Sequence, residues 1–175
     1  MTDTKVITGP RLILTEFEDG DITPEYVSWL NDPAVVKFSN QRFREHSLES
    51  SRAYVKSFTG TENELFKIVH AETGGLLGSV NAYVDTRHLV ADIGIMIGNK
   101  AFWGQGFGQE AWTLMMEFLF VDRGVRKVTG GTLATNKGMV EVMKRSGMHL
   151  EGVREKHFLI GDQAVDIHLF ARFRT

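Results

Sequence analysis

The sequence predicts a mixed α/β fold: one domain over residues 1–175, with helices flanking a mixed, mostly antiparallel sheet of seven strands. Three observations lead there. Stretches of apolar alternation and stretches of helical spacing follow in the order β-α-α-β-β-β-α-β-α-β-β, which is not the regular βαβα pattern of a parallel sheet. Turn signals at Glu72–Thr73–Gly74–Gly75 and at Gly161–Asp162 fold neighbouring strands into hairpins. The length suits a single domain, and no repeat, low-complexity tract or linker divides it.

Arg11–Phe17 alternates, Leu12 and Leu14 against Ile13 and Thr15, and reads as the first strand. Thr23–Pro24 starts a short helix through Trp29–Leu30, a capping hydroxyl followed by proline at the first helical position, and Asn31–Asp32–Pro33 ends it. Ser47–Leu48–Glu49–Ser50 opens a second helix, with Ala53, Tyr54 and Phe58 on one face and an end near Gly60. Three strands follow, Leu65–His70, Leu76–Asp85 and Val90–Ile97. After a glycine-rich turn, Glu110–Asp122 is helical, with Leu114, Met115, Phe118 and Leu119 at core spacing. Arg126–Leu133 is a strand, and Asn136–Ser146 a helix with Met139, Val142 and Met143 inward and Gly147 as its stop. Leu150–Ile160 and Ala164–Arg172 close the chain as a hairpin.

Composition narrows the function classes. Hydrophobic residues make up 42% and charged residues 24%, enough for an ordinary core. A net charge of −2 argues against general nucleic-acid binding. The absence of cysteine excludes disulfides, thiolate metal sites and a cysteine nucleophile. None of the six histidines has ligand spacing, so no metal is expected, and no G-x-S-x-G elbow is present. The first residues lack the apolar core of a signal peptide, and no apolar run is long enough to span a bilayer, so a cytoplasmic protein without a membrane partner is expected. A homodimer through a helix face or a sheet edge is compatible with the sequence.

The richest stretch is Trp103–Gly104–Gln105–Gly106–Phe107–Gly108–Gln109–Glu110–Ala111, between a strand and a helix. Such a turn leaves backbone N–H groups unpaired at the positive end of a helix, an anion site suited to phosphate or pyrophosphate. Glycine lets a ligand approach the backbone where a Cβ would hold it off. Gly106–Ala111 also fits the dinucleotide fingerprint G-x-G-x-x-G/A, but Arg126–Leu133 contains no acidic residue and hairpins precede the turn, both against a nicotinamide dinucleotide.

With Thr135–Asn136–Lys137–Gly138–Met139 and Met143–Lys144–Arg145–Ser146–Gly147–Met148–His149–Leu150–Glu151–Gly152 in the same order, this stretch resembles the GNAT superfamily of N-acyltransferases. Arg11–Leu12, Trp29–Leu30–Asn31–Asp32–Pro33 and Asp166 are similar to its RimJ/RimL-like branch, named for acetylation of ribosomal-protein N-termini. The likeness covers nearly the whole chain. It implies acetyl-CoA as co-substrate and a primary amine as acceptor: a protein N-terminus, an amino sugar or another small amine. It places pyrophosphate on Gly104, Gln105, Gly106, Phe107, Gly108 and Gln109, with Trp103 standing where the family pattern has Arg or Gln. It places pantetheine beside Ile95, Met96 and Ile97, like an added strand. Asn136, Met139 and Met143 would meet the cofactor arm, although Asn136 is also a preferred N-cap residue.

Acetyl transfer needs an uncharged amine, an oxyanion donor and a proton for the leaving thiolate. Without cysteine, direct attack in a ternary complex is the simplest route, with a backbone N–H near Ile97 as the donor. Many family members use a tyrosine on the last helix as the acid; that position here is Met143, leaving water, Tyr83 or Asn81 as substitutes. Asp92 is the first choice of base, because the resembled family often has an acidic residue near that position, acting through water; an aspartate carboxyl, which ordinarily titrates at about 3.9, is a poor base unless burial raises it. Asp166 and His168 lie on one face of a strand as another possible pair, and Glu110 reads as a complement to the helix dipole. The acceptor would sit among the first two helices, Asn81, Tyr83 and the last hairpin, with Trp29, Arg42 and Arg44 as contacts. A non-catalytic acyl-CoA-binding module on the same fold is the alternative.

Overall fold

The computed structural model describes residues 4–175. Its strands are β1 (Val6–Thr8), β2 (Leu12–Glu16), β3 (Glu64–His70), β4 (Leu76–Asp85), β5 (Val90–Ile97), β6 (Lys127–Leu133), β7 (His149–Ile160) and β8 (Gln163–Phe173). Its α-helices are α1 (Pro24–Leu30), α2 (Leu48–Lys56), α3 (Phe107–Val121) and α4 (Lys137–Arg145). One sheet runs β1-β2-β3-β4-β5-β6-β8-β7, and every pairing is antiparallel except β5–β6.

The sheet has eight strands rather than the seven read from the sequence. The extra strand, β1, is three residues long and turns back on β2 through a Gly9 N–H to Leu12 O bond. A three-residue strand is too short to leave a periodic signal. Helix α2 stops at Lys56, short of the expected Gly60, and α3 begins at Phe107 rather than Glu110. The earlier start of α3 follows from Gly106, whose φ of +84° lets the backbone turn directly into the helix without a capping side chain. The caps of the first two helices form as expected: Thr23 accepts from the Tyr26 N–H, and Ser47 and Ser50 make a reciprocal capping box.

Alternation along the strands sorts the residues to two faces. On one, Leu12, Leu14, Phe66, Ile68, Val80 and Ile93 pack under α3 and α4. Helix α3 is buried on most of its circumference, including Trp112, Met115, Met116 and Leu119, so it lies close along the sheet. On the other face, Tyr26 and Trp29 of α1 pack with Phe17, Leu65 and Met96. Trp29 lies directly on Gly98: a Cβ there would come within 2.2 Å of the indole. Further along that face, Leu133, Val165 and Ile167 form a third cluster with Phe38.

Candidate functional site

The parallel pairing of β5 with β6 lasts only three residues, Val90, Ala91 and Asp92 against Lys127, Val128 and Thr129. Beyond Asp92 the two strands part, while β5 stays paired with β4 as far as Ile97 against Gly78. Within a strand, alternate residues turn their N–H and C=O groups to the same side. Ala91 O faces β6, accepting from Thr129 Oγ1 at 3.3 Å, so Ile95 and Ile97 direct their backbone polar groups into the opening. At its far end, Trp103 Nε1 donates to Ile97 O at 2.7 Å.

The glycine turn borders this opening. Gly104 and Gly106 take φ of +71° and +84°, a region L side chains rarely adopt. The Glu110 N–H makes the first intrahelical bond, to Gly106 O, so the Phe107, Gly108 and Gln109 N–H groups have no helical acceptor. A Cβ on Gly104 would meet nothing within 4 Å, so that flank of the turn is open. Three free amides at a helix N-terminus with an open backbone approach fit a pyrophosphate. The side chain of Gln109 is used elsewhere, donating to Ser146 Oγ at 2.6 Å and tying α3 to α4.

Arg11 fixes the turn, a role its place in the sequence did not disclose. Its Nε and backbone N–H both donate to the Glu110 carboxylate at 2.8 Å, its Nη1 donates to Gln105 O at 2.9 Å, and its guanidinium lies 4.4 Å from the Phe107 ring centroid. Glu110 therefore does more than complement the helix dipole.

Where the strands part, Asp92, Thr129 and Tyr83 share one face, since Asp92 is in register with both neighbours. Asp92 Oδ2 accepts from Thr129 Oγ1 at 2.7 Å. Solvent reaches the Asp92 side chain at the mouth of the opening, yet the surrounding chain desolvates it enough to hold its carboxyl above the ordinary range, more than the Thr129 hydrogen bond lowers it. Desolvation also pushes the Tyr54 hydroxyl up, with Tyr83 nearby acting in the same direction.

On the same face a cavity of about 530 Å³ lies between the α1–α2 segment and strands β4 and β5, bordered by Tyr54, Asn81, Tyr83 and Gly94–Ile97. Gly94 allows this: a Cβ there would stand 2.8 Å from Asn81 Oδ1, so its absence lets the Asn81 amide lie across β5.

Several expected contacts fall outside this arrangement. Trp29 is 7% exposed and belongs to the α1 core. Asp166 Oδ1 accepts from the Lys156 N–H at 2.7 Å, holding an irregularity in β7 where Lys156 takes φ of +48°. Met143 is 1% exposed and belongs to the α3–α4 core, so its side chain does not reach the opening. Met139 is half-buried at the edge of that core, and Asn136 caps α4 by accepting from the Met139 N–H at 3.3 Å. Arg42 donates to Leu159 O of the last hairpin, whereas Arg44 borders the cavity. Among the described residues no cluster of His, Asp or Glu is arranged to hold a metal, and no helix is long and apolar enough to cross a membrane.

Residues 11–149 match the family model for an acetyltransferase (GNAT) domain. The chain is 26% identical over 166 residues to the uncharacterised N-acetyltransferase YnaD of Bacillus subtilis (strain 168), spanning 94% of this chain and 95% of that one. Its fold is similar to that of the ribosomal-protein α-N-acetyltransferase RimL in complex with coenzyme A, with TM-score 0.83, 16% identity and coverage of 97% and 98%. It is similar also to spermidine N-acetyltransferase from Vibrio cholerae in complex with CoA and spermine, with TM-score 0.83, 19% identity and coverage of 95% and 97%. At these identities the two structures speak to the fold alone.

Proposed function

The chain belongs to the GNAT acetyltransferase family, and on that footing we propose that it transfers the acetyl group of acetyl-CoA to a primary amine in a ternary complex. Within the family, Arg11–Leu12 and Trp29–Leu30–Asn31–Asp32–Pro33 support membership of the RimJ/RimL-like branch. The observation that carries the reading is the parting of β5 from β6 beyond Asp92 and Thr129, which leaves unpaired β5 backbone between an anion-binding turn and a polar cavity.

Acetyl-CoA supplies an activated acetyl thioester. Backbone amides of Gly104 through Gln109 would hold its pyrophosphate, with Trp103 beside them. Ile95 and Ile97 offer backbone partners to the pantetheine arm, with Met96 between them, and Asn136 and Met139 stand at the start of α4 for the same arm. Trp103 Nε1 must release Ile97 O before a pantetheine amide can use it.

The chain's own chemistry is proton handling and charge stabilisation. Asp92, whose carboxyl is raised by desolvation, takes a proton from the incoming ammonium through a chain of waters, because five residues of extended strand, about 16 Å, separate it from Ile97. The free amine nitrogen bonds to the acetyl carbon as the carbon–sulfur bond breaks, and the nitrogen then releases its excess proton to solvent. The Ile97 N–H meets the charge developing on the acetyl oxygen, a donor of a kind worth about 3 kcal/mol of barrier. Tyr83 returns a proton to the departing sulfur and regains one from solvent. Its place on the same cavity as Ile97 supports that assignment, and Met143 offers no proton at the α4 position where the family often has tyrosine.

Calorimetric titration with acetyl-CoA, using NAD as control, followed by thiol release against a panel of amines, tests the proposal. Micromolar acetyl-CoA binding with turnover is the expected result. Binding without turnover of any amine points to a non-catalytic acyl-CoA module, and NAD binding without acetyl-CoA binding overturns the reading.

A further inference from the structure

The cavity beside β5 carries a set of neutral hydrogen-bonding groups among apolar side chains, with Arg44, Glu45 and His46 also on its lining. At its floor the Tyr26 hydroxyl and Ser79 Oγ lie 3.3 Å apart, both residues buried. Tyr54 and Tyr83 both stand at its rim, each against the Phe58 ring. The Asn81 amide makes no side-chain hydrogen bond among the described residues. Ser51 is the informative member. It is 3% exposed, it borders the cavity, and its Oγ has no hydrogen-bond partner. The nearest helical acceptor, Ser47 O, already takes the Ser51 N–H and the Ser50 hydroxyl. A buried hydroxyl left unpaired is unfavourable, and a ligand that supplies its partner recovers that loss.

The charges around the cavity point the same way. Glu45 is the one carboxylate on its lining, and it is exposed, with Arg44 and His46 on either side of it in the chain. A polyamine brings several ammonium groups and needs several carboxylates to receive them. Here its distal cations would meet Arg44 without that compensation. A flexible peptide has no row of unpaired backbone on α2 to pair with. Hydroxyl groups on a compact frame match the lining: each donates and accepts, as do Ser51, Ser79 and the three tyrosines.

We propose that the acceptor is a small primary amine on a polyhydroxylated frame, an amino sugar, with Ser51 Oγ and Asn81 hydrogen-bonding its hydroxyl groups. This rests on the acetyl-transfer reading above. The neutral amine nitrogen gains the acetyl group and sheds one proton to solvent, the thioester carbon–sulfur bond breaks, and the sulfur leaves with the proton supplied by Tyr83.

Thiol release from acetyl-CoA is measured with D-glucosamine, cyclohexylamine, spermidine and an alanine-terminated peptide. The expected kcat/KM for glucosamine exceeds each of the others at least tenfold. Cyclohexylamine has a six-membered frame without hydroxyls, so that ratio reads the contribution of the hydroxyl groups. Ser51→Ala is expected to raise the glucosamine KM about tenfold while leaving the melting temperature of the free protein unchanged or higher, because it removes an unpaired group. A purely structural Ser51 would instead lower the melting temperature and leave KM alone. Preference for spermidine or the peptide, or equal use of cyclohexylamine, overturns this inference while leaving acetyl transfer standing. No turnover of any amine, with no acetyl-CoA binding by calorimetry, overturns both.

Discussion

Arg11 and Glu110, 99 positions apart, are joined twice: the Arg11 backbone N–H donates to Glu110 Oε1 and its Nε to Oε2, each at 2.8 Å. The pair ties the start of β2 to the first turn of α3. It also keeps a carboxylate on its own cation, and so away from the Phe107, Gly108 and Gln109 amides that an anion needs.

Arg11→Ala is expected to weaken acetyl-CoA binding about tenfold, roughly 1.4 kcal/mol, because Glu110 keeps only the backbone N–H bond and loses the cation that offsets its charge beside the helix N-terminus, while Gln105 O loses its donor. The melting temperature should change little, since a partly exposed ion pair contributes about 0–1 kcal/mol. Calorimetry beside thermal denaturation separates the two. A large loss of stability with unchanged affinity would show that the pair holds the fold and not the site.

Gly106→Val adds a Cβ at φ of +84°, pointing toward Arg11 Nη2 at 3.3 Å. The variant should fold with modest strain, about 1–3 kcal/mol, and lose acetyl-CoA affinity by more than tenfold. Undiminished affinity in a folded variant would move the anion site elsewhere.

Asp92 links activity to pH. Burial raises its carboxyl in the folded chain, so the folded state holds that proton more tightly than the unfolded state does. The stabilisation this gives is present at low pH and is lost as pH rises from the ordinary carboxylate range through the raised folded value. Ionised Asp92 is therefore unfavourable for folding at neutral pH, and it is the form that can act as a base. Asp92→Asn should lower kcat/KM about 100-fold or more and abolish the acidic limb of its pH profile. Its melting temperature at pH 7 should be unchanged or higher. An acidic limb that survives the substitution rules out Asp92 as the base.

Gly98→Ala drives a methyl group to within 2.2 Å of the Trp29 ring. Overpacking of this kind costs about 1–3 kcal/mol. Since α1 carries Tyr26 into the cavity floor, the acceptor KM should rise while acetyl-CoA affinity holds. Equal loss of both would mean the damage is global.

Met143→Tyr tests whether the acid can be restored on α4. Met143 is 1% exposed, and its Cε lies 3.1 Å from where a Gly130 Cβ would be. A larger, polar ring there should lower the melting temperature without raising kcat. A gain in kcat would place this helix position within reach of the leaving sulfur.

The element order from β2 onward, the caps at Thr23 and Ser47, the two hairpin turns and the glycine turn before α3 were all legible in the amino-acid order. Each of these is set by residues within a few positions of one another: a capping hydroxyl, a proline at N1, or glycines at positive φ. The periodicity of Leu12–Leu14 and of Met115–Leu119 placed the core faces for the same reason. Features that depend on distant residues emerged with the packed chain. Strand β1 exists through its partner β2, and Arg11 reaches Glu110 once β2 lies beside α3. Trp29 is core because Gly98 lies beneath it, Asp166 is held by the Lys156 N–H, and Ser51 is buried without a partner at the edge of a cavity. Neighbouring residues set backbone conformation and which side chains face inward. What a buried polar or aromatic group touches is set by packing across the sheet, and one chain read alone carries no local signal for it.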